Sequence, residues 1–325
     1  MVSEHSLYSR SQAQSTNVSD HNPHAKCAYN LKDSIDYYLL TCKVESKSPK
    51  TLFGYSQRLS ELTAFSKDKP VTPYSVRLFL LSLQERGLCA NTISAYYRAM
   101  HSFFNWLIRE GVIRENPMAT IHPPKVPKKL VKPLSNKNIF DVLAIMAPRH
   151  SGRISSICDT RNTAIFLIFL DTGLRLDEMS QLQLSQVNID KGIITVMGKG
   201  GKERQVRIGK MTHKALLRYW IMRREIDLPS LWITEEKTPL QRGGVQMAIR
   251  RMLRRAGCQG VKIGPHTLRH TAAMSYLRNG GDLATLQVMM GHADITTTKI
   301  YLSSLAGEDM MRVHERASPV DNLLK

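Results

Sequence analysis

Between about Asn30 and Asn116, apolar residues recur every three or four positions. Leu31, Ile35, Tyr38 and Leu39 form one such stripe, and Leu52, Tyr55, Leu59, Leu62 and Phe65 form a second. That interval matches the turn of an α-helix and predicts amphipathic helices with one buried face. A third helix is expected near Ser75–Arg86. A fourth is expected from a capping Asn91 through Ile93, Tyr97, Met100, Phe104 and Leu107 to Gly111, where a glycine can stop it. Four helices in fewer than 90 residues make a small all-α domain. Its aromatics fall at core spacing, so they read as packing groups and not as platforms for stacked bases.

The pattern then breaks. Residues 116–140 contain five Pro, five Lys and no acid. Proline removes a backbone donor and fixes φ, so this stretch cannot continue a helix. It reads as an extended basic linker. Lys125, Lys128, Lys129 and Lys132 are its candidate phosphate contacts. A solvated spacer is the alternative, and the lack of acid favours a strap along a polyanion. From Ser135 onward the periodicity is again mostly helical, with an apolar run at Ala164–Leu170 that suggests a buried helix. One β island interrupts it: Ile193–Met197, a Gly-Lys-Gly-Gly-Lys turn, and the alternating Gln205–Ile208. The expectation is a mainly α protein of two domains, a four-helix N-terminal domain and a mostly helical second domain with a small antiparallel sheet. The boundaries are a disordered polar tail at 1–28, a helical domain at 29–116, the linker at 117–134, the second domain at 135–312 and a C-terminal tail at 313–325.

Composition adds a partner. The chain has 325 residues and a formal net charge of +19. Each Lys or Arg that neutralises a phosphate releases a counterion, so such a surplus favours nucleic acid over a protein that is merely basic. No run of residues is long and apolar enough to suggest a membrane span, and the N-terminus lacks the apolar region of a secretory signal. The five cysteines are scattered, with no C-x-x-C pair, which points to a reducing, cytoplasmic setting and to no disulfide framework or zinc module.

Four stretches could carry chemistry. They are DTGLRLDEM with Arg175 and Glu178, the turn with Lys199 and Lys202, HTLRH with His266, Arg269 and His270, and MGHADITTTKIY with His292 nine residues before Tyr301. Each is weak alone. The turn lacks the spacing of a P-loop and does not lead into a helix. His266 and His270 sit four apart, but no Glu or Cys completes a metal shell. Together the stretches answer one problem, transfer of a phosphodiester without metal. Two guanidiniums, Arg175 and Arg269, can grip non-bridging oxygens in a plane. His266 or His292 can accept a proton. Lys199 can reach a leaving 5′ oxygen, and Tyr301 can form a phosphotyrosine that conserves the bond energy, so no ATP is required.

At these residues the chain resembles the tyrosine recombinase, or phage-integrase, family. T-G-L-R-x-x-E, G-K-G-x-K-x-R, H-x-L-R-H, G-H and the tyrosine occur in the family's order, from about Ser48 to Tyr301. Ser48-Pro49-Lys50-Thr51 and the Asn91–Leu107 helix are similar to the family's N-terminal SAM-like core-binding domain. The resemblance implies a clamp around double-stranded DNA carrying specific recombination sites. It implies catalysis by Arg175, Lys199, His266, Arg269, His292 and Tyr301, with Lys202 the competitor to Lys199. His266 is then the general base, His292 its support, and Glu178 an acid that orients Arg175. It implies no cofactor and no metal. It further implies a homotetramer on two sites, a dimer per site, resolving a Holliday junction, with a second recombinase or an accessory protein as further candidate partners. An amphipathic stretch after Tyr301 would dock on a neighbouring protomer or on its own domain. The architecture is compact and Xer-like, and the unusual tail and linker lean toward a bacterial mobile-element integrase. The rivals are a type IB topoisomerase and a DNA-binding regulator without catalysis.

Overall fold

In the computed structural model, residues 30–67, 69–127, 132–146, 156–198, 203–259 and 262–292 are described, with positions 298, 301, 311, 314 and 318. The chain divides into two units, Met1–Lys128 and Lys129–Lys325, and the division falls within the Pro/Lys stretch. Among the described residues no helix is long and apolar enough to cross a membrane.

The first unit contains α1 (Leu31–Val44), α2 (Pro49–Ser66), α3 (Pro73–Glu85) and α4 (Ala90–Arg109). Its starts are encoded locally. The Asn30 side chain accepts from the Lys32 and Asp33 amides. Ser48 accepts from Thr51 N–H, and Thr72 and Ser75 satisfy each other's backbones. A proline follows both Ser48 and Thr72, at a first-turn position where its missing N–H costs nothing. The fourth helix starts two residues earlier than the sequence suggests. Cys89, in extended backbone, is the residue before it, and Asn91 lies inside the first turn. An Asn at that position cannot cap, because its own backbone is already helical.

Behind these starts lies an aromatic core. Phe79, Phe103, Phe104, Trp106 and Tyr38 are each at most 2% exposed. Tyr38 meets Phe103 edge-on with centroids 5.4 Å apart. Its hydroxyl donates to Ser102 Oγ at 2.7 Å, and Tyr97 donates to the Ile121 carbonyl at 2.8 Å. These rings pack in the unit's interior, as their spacing suggests, and buried phenols find acceptors.

The second unit contains α5 (Asn136–Met146), α6 (Ile157–Thr172), α7 (Leu176–Ser180), a 3-10 turn at Leu184–Gln186, β1 (Val187–Asn188), β2 (Ile193–Met197), β3 (Glu203–Arg207), α8 (Lys210–Arg223), α9 (Arg242–Arg255), α10 (Pro265–Arg278) and α11 (Leu283–Met290). The strands form an antiparallel sheet in the order β1-β2-β3, with Ile194 opposite Val187 on one side and Val206 on the other. The expected hairpin is present, and β1 extends it. Helix α6 packs against α5, α8, α9 and α10. That surrounding explains why Ala164, Ile165, Phe166, Ile168 and Phe169 are all fully buried and show no single apolar face. Helix α10 is buried without interruption from Thr267 to Met274. The Thr271 hydroxyl oxygen accepts from the Leu134 amide at 2.9 Å, which ties the end of the basic stretch to α10.

Candidate active site

The site is assembled at the C-terminal end of α11. A helix end leaves carbonyls without intrahelical partners, and its dipole favours cations there. Three successive carbonyls are each met by a different arginine. Met289 O accepts from Arg204 Nε at 3.0 Å, Met290 O from Arg269 Nη2 at 2.8 Å and Gly291 O from Arg175 Nη2 at 2.7 Å. Gly291 takes a left-handed φ of 63°, and a Cβ there would lie 2.9 Å from Arg204 Nη1. Only glycine satisfies both conditions.

Arg175 reaches this point because α6 stops at Gly173, whose φ of 61° closes the helix. The chain then buries Leu174 and begins α7 with Arg175. Glu178, three residues on, accepts from the Arg175 amide and from its Nη1, both at 2.8 Å. The Arg175 side chain remains 36% exposed, so it can still offer donors to a ligand. Arg269 comes from the buried face of α10. It donates to Gly173 O at 2.5 Å, to Met290 O, and to His292 Nε2 at 2.8 Å. Burial, then the nearby Arg175, lowers its pKa to about 10, which still leaves it charged at neutral pH.

The Arg269 contact fixes the tautomer of His292. A guanidinium has no acceptor, so Nε2 must accept and the proton sits on Nδ1. Nδ1 then donates to Thr298 Oγ1 at 2.8 Å. Desolvation, followed by the charges of Arg269, Arg175 and Arg204, pulls the imidazole down to about 4. His292 is therefore neutral at physiological pH. Its ring lies nearly parallel to that of Tyr301, with centroids 6.4 Å apart.

Tyr301 is 9% exposed and packs among Ala273, Met274, Leu277, Leu286 and Met290. Burial raises its pKa, while Arg269 and Arg175 oppose that rise. The same arginines that could hold a phosphate thus favour the phenolate. His266 begins α10 just after Pro265 and is exposed. Desolvation by the surrounding protein and the Arg269 charge lower its pKa, so it can accept a proton at neutral pH only as a weak base.

Of the residues singled out in the sequence, Arg175, Arg269, His292 and Tyr301 converge here, with Glu178 behind them. His266 stands one helical turn from Arg269. Lys199 and Lys202 lie outside the described residues, as do Lys128, Lys129 and most of the stretch after Tyr301. Lys125 and Lys132 are exposed. One group went unrecognised, and His270 was weighed only as a metal ligand. Arg204 occupies the last position of G-K-G-x-K-x-R and alternates with Val206 onto the inward face of β3. An arginine on an apolar strand face was the available signal. His270 packs its ring 5.1 Å from that of Tyr301, and nothing in its spacing sets it apart from a core histidine. Among the described residues no cluster of three His, Cys, Asp or Glu side chains is placed to hold a metal ion.

Residues 140–308 match the model of the phage integrase family, and residues 35–111 match the phage integrase N-terminal SAM-like domain. The chain belongs to the phage integrase family. Within that family it is 29% identical over 304 residues to tyrosine recombinase XerC of Escherichia coli O127:H6 (strain E2348/69 / EPEC), an alignment covering 89% of this chain and 97% of the relative. Among solved structures it is similar to XerH site-specific recombinase bound to difH substrate in a pre-cleavage complex, with 25% identity, a TM-score of 0.63, and coverage of 83% of this chain and 79% of the other. The Tn1549 transposon integrase in complex with a circular intermediate DNA has a TM-score of 0.72 at 17% identity, covering 89% of this chain and all of the other, and shares the fold.

Proposed function

We propose that this phage integrase family member is a site-specific recombinase that cuts and rejoins double-stranded DNA through Tyr301. The observation that carries this reading is the convergence of Arg175, Arg269 and His292 on one buried tyrosine. In the step proposed, Tyr301 Oη attacks the scissile phosphorus. Arg175 and Arg269 offset charge on the non-bridging oxygens. His266 takes the phenolic proton, and His292, neutral and fixed by Thr298, supports the site by accepting from Arg269. The P–O5′ bond breaks as Lys199 protonates the leaving oxygen. A 3′-phosphotyrosyl bond forms, and the 5′ hydroxyl of a second strand reverses the step without ATP.

In this reading residues 29–116 are the core-binding domain, 135–312 the catalytic domain, and the linker at 117–134 lies along phosphates through Lys125, Lys128, Lys129 and Lys132. The chain works as a dimer on each of two sites, a tetramer through the Holliday junction, in the cytoplasm at the bacterial nucleoid. The element served is a mobile one. The similarity to XerC and the presence of both family domains in one chain favour strand exchange over topoisomerase action.

The test is covalent trapping. Wild-type protein is incubated with a pool of nicked duplexes of randomised sequence, denatured in detergent, and the trapped DNA and modified peptide are read. The adduct is expected on Tyr301, and Tyr301→Phe should bind DNA and trap none. An adduct that persists in Tyr301→Phe removes the assignment of the nucleophile.

A further inference from the structure

Glu178 is nearly inaccessible, with 6% of its side chain exposed, and it is shared. On one side it takes the amide and Nη1 of Arg175. On the other it takes both terminal nitrogens of Arg204, Nη1 at 3.0 Å to Oε1 and Nη2 at 2.8 Å to Oε2. The remaining Arg204 nitrogen, Nε, donates to Met289 O. Every nitrogen of Arg204 is thus engaged by protein, and its side chain is 9% exposed. It is the third arginine on the α11 carbonyl ladder, and it faces a carboxylate where Arg175 retains donors for a ligand.

We propose that Arg204 is a positioning residue, which locks Glu178 and through it Arg175 into the phosphate-facing pose and ties that pose to the seating of strand β3. The inference rests on the recombinase reading above, for it assigns a further residue to the same site. The physical case is geometric. A carboxylate held by one fork can rotate about its last torsion, and Arg175 would rotate with it. A second planar fork from the opposite side removes that freedom. Arg204 also joins three elements, since it leaves β3, grips α7 through Glu178 and caps α11 beside His292. Displacement of β3 would therefore be felt at Arg175 before anything touches the phosphate. Burial by itself raises the Glu178 pKa, and hydrogen bonds from Arg204 and Arg175 outweigh it and hold the group near 2. The carboxylate is therefore charged throughout the working range.

The experiment uses the full chain and a nicked duplex recovered from the randomised pool. DNA affinity and single-turnover cleavage are measured separately for Arg204→Lys, Arg204→Gln, Glu178→Gln and the Glu178→Gln/Arg204→Met pair. The positioning role predicts near wild-type affinity and cleavage slowed by about 100-fold in Arg204→Gln, the scale of a small misplacement of a catalytic group. Arg204→Lys should not rescue, because an ammonium cannot form the fork. Arg204→Gln leaves a buried carboxylate half paired and can unfold the chain, so cleavage is read on the folded fraction of each variant, and the double variant, which removes both charges, supplies a second reading. If Arg204 is only a structural brace, folded Arg204→Lys and Arg204→Gln cleave as wild type does. If Arg204 positions Arg175 through Glu178, both are slow, and the double variant folds, binds and is no slower than Glu178→Gln alone, because the two losses act at one point. A double variant slowed by the product of the two single losses would place the effect of Arg204 elsewhere and overturn the proposal. Wild-type cleavage by Arg204→Lys would also overturn the proposal. A wild-type protein that traps no duplex, or a Tyr301→Phe protein that does, would fail the recombinase reading and not the Arg204 assignment.

Discussion

The two units solve the burial problem in opposite ways. The N-terminal unit fills its interior with rings, with Phe79, Phe103, Phe104 and Trp106 at its centre and its charges mostly on the surface. The catalytic unit buries cations. Arg161, Arg223 and Arg269 are each at most 7% exposed, and the Glu178–Arg204 pair is almost as enclosed. Buried charge costs free energy unless it is paired and hydrogen-bonded, and here backbone carbonyls do most of the pairing. Arg161 and Arg223 hold loops, through the Ile233 carbonyl and the Ile226 and Leu228 carbonyls. Arg269 and Arg175 use the same kind of hydrogen bond to hold a guanidinium still while leaving it facing a tyrosine. The difference teaches that the first unit is built for shape and the second for electrostatic preorganisation.

The contrast can be broken in several places, the strongest being Arg269. Arg269→Ala should slow covalent cleavage on the order of 10²–10³-fold with a much smaller change in DNA affinity. It should also lower the melting temperature, since the Gly173 and Met290 carbonyls and His292 are left without their donor. Equal reductions in binding and cleavage would mean that the arginine serves only the fold.

The matching cut in the other unit is Phe104→Ala. It should destabilise that unit by about 3–5 kcal/mol, read by denaturant unfolding, because the ring is fully buried in the aromatic core and its removal leaves a cavity. Cleavage per bound complex should stay unchanged at a temperature where the unit remains folded.

Acid sharpens the contrast further. The folded pKa of His292 is depressed from 6.5 to about 4, chiefly by desolvation and then by Arg269. Between those values the unfolded chain binds a proton that the folded chain refuses. Its contribution to stability is therefore complete above pH 6.5 and is lost as pH falls toward 4. His266 and His270 shift in the same direction. Melting followed by near-ultraviolet dichroism should show the catalytic unit weakening across this window, and His292→Gln should flatten the slope. An unchanged slope would mean that the imidazole is not held neutral.

The smallest effect belongs to the segment between the units. Neutralising Lys125, Lys128, Lys129 and Lys132 together should weaken binding to all sequences alike. It should flatten the dependence of log affinity on log salt by roughly 0.9 for each phosphate that a lysine no longer neutralises. An unaltered slope would leave the segment a spacer.

The four helices of the first unit were legible from their apolar residues, and for three of them the structure adds a local start, with Asn30, Ser48 and Thr72 as caps. Asn91 misled because cap chemistry alone does not say which nearby residue leaves the extended region, and Cys89 does so without a side-chain hydrogen bond. In the second unit α6 and the hairpin were visible, but α7 and β1 were too short to carry a period, at five and two residues. The candidate catalytic residues were readable from their order and types, and Lys199 lies outside the described residues.

What the sequence determined by itself was therefore local or compositional: the helices of the first unit, the charge that asks for a polyanion, and the motif order that names the family. What only the tertiary structure decided was pairing at a distance. Arg204 meets Glu178 across 26 positions, Arg269 meets Gly173 across 96, and Arg175 meets Gly291 across 116. Such pairings have no period for a sequence to display. They exist because β3, α7, α10 and the end of α11 pack together, and because buried guanidiniums and unpaired helix-end carbonyls must satisfy one another once water is gone.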